Sequence, residues 1–151
     1  MQADQGHAVK VLNSLIETTL DSANGYREAA ENAPDGQLRT LFSERALRRE
    51  ELASQLQHEV RTFGGEPETD QSAMGKAHNK FVDIKNALTG GQSEKAVIDE
   101  VERGEDFIKA KFEKALDGDD LPSNVREVLS RAYQTIRADH DQISAMKHSM
   151  H

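Results

Sequence analysis

The sequence predicts an all-α protein: a bundle of four long helices with a long crossover between the second and the third. Three observations predict it. Apolar residues recur at three- and four-residue steps along most of the chain, the period of a helix with one buried face. The prolines Pro34, Pro67 and Pro122 fall in the runs NAPDG, GGEPETD and DGDDLPSN, where helix-breaking residues belong. No segment shows the strict alternation of a half-buried strand, and no internal repeat stands out. The 151 residues suit a single domain over 1–151.

The first helix, over about residues 7–32, carries Val9, Leu12, Leu15, Ile16, Thr19, Ala23, Tyr26 and Ala30 on one stripe. His7 with Asp4 reads as helix-start chemistry. Asp35 is the expected N-cap of the second helix, about 36–63, whose stripe is Leu38, Leu41, Phe42, Leu52, Leu56, Val60 and Phe63. Gly64-Gly65 should end it. A connector helix over about 74–89 is expected from Ala77, Phe81, Ile84 and Leu88, stopped by Gly90-Gly91. The third helix, about 93–117, carries Val97, Val101, Ile108, Phe112 and Ala115. The fourth, about 123–147, carries Val125, Val128, Leu129, Ala132, Tyr133, Ile136, Ile143 and Met146. Short turns join the first pair and the last pair. The middle link is long enough to run the length of the bundle, which is the one-crossover arrangement of ferritin-like folds.

Composition narrows the function classes. Nineteen Lys and Arg against 27 Asp and Glu give a net charge of −8 and a pI near 5.2, a poor match to a nucleic-acid backbone. There is no cysteine, which removes disulfides, zinc–thiolate sites and cysteine nucleophiles. No apolar run reaches the roughly 20 residues of a membrane span, and no secretory leader is visible, so a cytoplasmic protein without membrane contacts is expected. There is no phosphate loop and no nucleophile elbow.

The informative residues are the charged ones that helical periodicity places on buried stripes. Arg45 and Arg49 fall among the apolar residues of the second helix, Glu105 among those of the third, and His140 beside Ile136 and Ile143 on the fourth. Tyr26 and Tyr133 lie on the apolar sides of the first and fourth helices. A buried charge needs a counter-charge, so a network of Arg45, Arg49, Glu105, Tyr26 and Tyr133 is expected. Arg49 and Glu105 stand each three to four turns from one end of the bundle, which allows a buried pair that fixes helix register. Gly104, inside a helix beside Glu105, suits a close helix approach. Gly25 falls on the outward side of its helix. His58 is opposite its apolar stripe, His78 is in the connector, and His148 and His151 form an i, i+3 pair at the chain end.

The runs LNSLIETTLDSANGYREAAE, LFSERALRREELASQLQHEV, FGGEPE, KNALTGG, VIDEVERGED and AYQTIRADHDQI resemble a proteobacterial family of small ferritin-like proteins of unknown function, from about Leu12 to Met146. The resemblance implies a ferritin-like four-helix bundle and carries no activity with it. The wider superfamily holds two irons with one glutamate on each of two helices and Glu-x-x-His on the other two. This chain has no Glu-x-x-His: Arg137 stands three residues before His140, and Gln55 before His58. Arginines also hold the central positions of the second helix. What remains as a partial ligand set is Glu105 with Glu102 and His140, for which iron or zinc would be the metal.

Two readings follow. One is a non-catalytic structural or protein-interaction module, stress-associated and able to form a homo-oligomer. The other is a metal-binding ferritin-like protein with a non-standard carboxylate and histidine site. Ferroxidase chemistry is disfavoured on either reading.

Overall fold

The structure is a computed structural model and describes residues 2–33, 36–69, 94–118 and 121–149. Four helices make it up: α1 Gln2–Asn32, α2 Gly36–Thr62, α3 Glu94–Asp117 and α4 Ser123–Ser149. Among the described residues there is no strand. The expected N-cap Asp35 and the expected connector helix over 74–89 lie outside the described residues, as do His78 and His151.

α1 starts five residues earlier than its apolar stripe suggests, because nothing between Gln2 and His7 stops a helix. His7 therefore sits in the second turn, not at the start. The end of α2 follows the glycine signal closely. Gly64 has φ +75°, its amide donates to the Arg61 carbonyl, and the Gly65 amide reaches back to Val60 at 3.1 Å. That is the Schellman arrangement, in which a left-handed residue lets the last carbonyls find partners. Beyond it the chain turns back along α1 and α2. Asn13 donates to the Glu66 carbonyl at 3.0 Å and accepts from the Glu68 amide at 2.8 Å, and Gln57 donates to the Glu68 carbonyl. A Cβ on Gly65 would approach the Val9 and Val60 methyls at 3.0–3.1 Å, so the return also needs a bare backbone there.

α1 packs closely on both α2 and α3, and α4 packs closely on α3. Two neighbours widen the buried surface of α1 beyond one stripe. This explains Gly25, which is buried rather than outward-facing: it lies on the row of Thr18, Ser22 and Ala29, all buried.

The core divides into two apolar clusters. One gathers Leu12, Leu15 and Ile16 from early α1, Leu56 and Val60 from late α2, Ile108 and Phe112 from late α3, and Val125 to Ile136 from early α4. The other gathers Tyr26 to Ala33, Leu38 to Ala46, Val97 to Val101, and Ile143. α2 and α3 thus begin at the same end of the bundle. Between the clusters, at mid-height, every helix presents a polar residue to the interior.

Candidate functional site

Four charges occupy that middle layer. Arg45 and Arg49 come from α2, one turn apart, Glu105 from α3 and Asp139 from α4. All are buried, at 0%, 1%, 1% and 4% exposure. Arg49 is the centre of the arrangement. Its two terminal nitrogens meet Glu105 at 2.8 and 2.9 Å, one also reaches Asp139 Oδ2 at 3.1 Å, and the other donates to Ser22 Oγ of α1 at 2.7 Å. Arg45 runs alongside, with Nε 3.5 Å from Asp139 Oδ2 and Nη1 3.8 Å from Glu105 Oε2. It donates to Tyr26 Oη at 3.2 Å and to the Gln142 side-chain carbonyl. Tyr26 faces both guanidinium carbons at 5.5–5.6 Å, within cation–π range, and its other neighbour is Phe42 at 5.9 Å between ring centres.

The electrostatics are self-contained. Two buried cations meet two buried carboxylates, so the layer is formally neutral. Arg49 hydrogen-bonds both carboxylates through one terminal nitrogen, while Glu105 Oε1 and Arg45 Nε are held by ion pairing without a hydrogen bond among the described residues. Burial opposes the charge of Arg49, but the Glu105 carboxylate, with Tyr26 and Asp139, outweighs it and raises its pKa. Burial, with Glu105 adding, pushes the Tyr26 hydroxyl well above the usual phenol range, so it stays neutral. At the rim, Arg48, half-exposed, reaches Asp139 Oδ1 at 3.2 Å. A cleft of about 670 Å³ between α2 and α4 opens beside this point, lined by Leu52, Val128 and Ala132 with Arg49 and Asp139 at its inner side.

Of the residues singled out in the sequence, the structure brings Arg45, Arg49, Glu105 and Tyr26 together. Tyr133 is not with them. It lies a turn and a half away on the α3–α4 seam, where its hydroxyl bonds Glu113. The three candidate metal ligands do not converge either. Glu102 is held by Lys147 at 2.8 Å, whose hydrogen bond lowers its pKa. His140 bonds Asp106 at 2.6 Å and Asp141 at 3.2 Å, and the Glu105 carboxylate is taken by Arg49. Among the described residues, no three His, Asp or Glu side chains are placed to hold a metal ion. His148 bonds the Ser144 carbonyl instead.

Sequence reasoning missed Asp139, Ser22 and Gln142. The signal for Asp139 was present: Val125, Leu129, Ala132, Ile136 and Ile143 step by four, three, four and then seven, and Asp139 fills the missing position. The neighbouring His140 is one residue off the stripe and points to the seam. That seam is itself regular. Tyr133, His140 and Lys147, seven residues apart on α4, pair with Glu113, Asp106 and Asp99, seven apart on α3.

These features define the class: an all-α four-helix protein whose mid-bundle layer is a closed arginine–carboxylate network. The domain of unknown function DUF2383 matches residues 7–118, and the chain belongs to that family. The match takes in Tyr26, Arg45, Arg49 and Glu105, whereas α4, with Asp139 and the HDQI run, lies beyond it. A search of curated proteins finds no match to the chain. Among the described residues no helix is long and apolar enough to cross a membrane.

Proposed function

We propose that this protein is a non-catalytic ferritin-like bundle, a structural or protein-interaction module in which an internal salt-bridge layer stands where the superfamily holds metal. The observation that carries the reading is Arg49 bound to both Glu105 and Asp139. A di-iron centre needs about four carboxylates and two histidines free to converge. Here the two buried mid-bundle carboxylates are spent on guanidinium groups, and the two buried cations would repel an entering divalent ion. The residues do not fit a metal pair.

The ferritin-like assignment is supported by the shared end at which α2 and α3 begin, the helix arrangement of a one-crossover bundle. The interaction role is supported by Leu47, which is 60% exposed on α2 beside a cleft framed by Arg27, Glu31, Arg39 and Glu50.

The test is an anaerobic titration of untagged protein with ferrous iron, followed by air and by elemental analysis. The expected result is no stoichiometric iron and no near-ultraviolet band of an oxo-bridged ferric pair. Two irons per chain, lost on Glu105→Gln or His140→Ala, would overturn the reading in favour of a metal protein.

A further inference from the structure

A third cleft lies between the early turns of α1 and the last turns of α3, and its lining differs from that of the other two. It has a volume of about 280 Å³, at the small end of ligand sites. Val11 and Leu15 of α1 meet Ala115 of α3 and Leu121 across an apolar interior, with Leu15 and Leu121 buried. Around it stand Lys111, Lys114 and His7, with the Ser14 hydroxyl. The clefts beside α2 carry carboxylates among their walls, Glu51, Glu59 and Asp139 in one and Glu31 and Glu50 in the other. Among the described residues lining this one there is none, in a chain of net charge −8.

The ordinary task for lysines at the end of a helix is to neutralise its last carbonyls. Here Arg126 of α4 does that work, donating to the Leu116 carbonyl at 2.8 Å and to the Gly118 carbonyl. Lys111 lines the cleft and is half-buried, with its ammonium 5.5 Å from the Phe107 ring one turn earlier. Two lysines lining an otherwise apolar cleft match one kind of ligand.

We propose that this cleft binds a small amphiphilic monoanion, a medium-chain carboxylate. Its head would be taken by Lys111 and Lys114, and its tail would lie against Val11, Leu15, Ala115 and Leu121. The site is independent of the mid-bundle network, so neither reading depends on the other.

The experiment is a methyl and amide NMR titration of the full chain with octanoate, with acetate and octanol as half-ligands. The expected result is saturable shifts at Val11, Leu15 and Ala115, with each half-ligand weaker by about tenfold or more. Lys111→Gln with Lys114→Gln should weaken octanoate about tenfold while leaving the far-ultraviolet spectrum unchanged. Ala115→Leu, which fills the cleft and keeps both lysines, should weaken octanoate and spare acetate. The proposal is overturned by shifts that do not saturate at millimolar octanoate, by shifts that map to another face, or by a double lysine variant that binds like the parent.

Discussion

Arg49 holds two carboxylates at once, and this sets the energetics of every substitution around it. Replacing Arg49 by methionine leaves Glu105 and Asp139 buried without their shared counter-charge, a loss expected at about 3–5 kcal/mol. Glu105→Leu alone leaves a surplus cation and should cost a similar amount. Arg49→Met combined with Glu105→Leu leaves the neutral Arg45–Asp139 pair, and its loss should be far smaller than the sum of the singles. Urea melts of the three variants check this, and simple additivity would mean that the residues do not interact. Tyr26→Phe keeps the ring between the guanidinium groups and removes the hydroxyl that accepts from Arg45. The expected loss is about 1.5–3 kcal/mol, that of a hydrogen bond to a charged donor.

At the scale of elements, the α3–α4 hairpin depends on protonation of His140. Each ring nitrogen faces a carboxylate, Nε2 toward Asp106 and Nδ1 toward Asp141, and only the doubly protonated ring donates to both. Burial opposes that charge, but the two hydrogen bonds prevail and raise the His140 pKa above its ordinary 6.5. Because the folded value is the higher one, the contribution is complete below about 6.5 and fades as pH rises through the folded pKa. Thermal melts should therefore show stability falling across neutral to mildly alkaline pH. Asp106→Asn should flatten that fall and lower the His140 pKa seen by NMR; an unchanged titration would refute the assignment. At the end of α2, Gly64 is the sensitive position. Gly64→Ala forces a side chain into left-handed backbone, at a cost of about 1–2 kcal/mol measured by denaturant melts.

Over the whole molecule, α1 touches two helices closely while α4 leans on α3 and parts from α2 around the larger cleft. Hydrogen exchange should accordingly find the slowest amides in α1 and the first openings in α4; equal protection of the two would contradict this arrangement. The four helices were legible because each has an apolar stripe bounded by a proline or a glycine pair. Arg45, Arg49 and Glu105 were legible for the same reason, as charges in register with that stripe. Asp139 was not, because His140 beside it is the more conspicuous residue and one step along a helix turns a side chain by about 100°. Gly25 was misjudged because a single-stripe wheel presumes one neighbour, and α1 has two. Tyr133 looked buried because its ring is apolar, yet its hydroxyl is drawn to Glu113 at the seam.

The regular seam between α3 and α4 carries a hazard that the central layer resolves. A pairing that repeats every seven residues is nearly indifferent to sliding α4 by seven residues, about 10 Å, along its partner. His140 would then meet Glu113 and Lys147 would meet Asp106, still with opposite charges, and one aliphatic side chain would replace another in the stripe. Asp139 has no such substitute. In a slipped hairpin, Ala132 or Met146 would stand at the level of Arg49, and a guanidinium would be stranded in an apolar interior. The buried charges act as a lock with one key position, excluding mispaired hairpins that the outer contacts alone would accept.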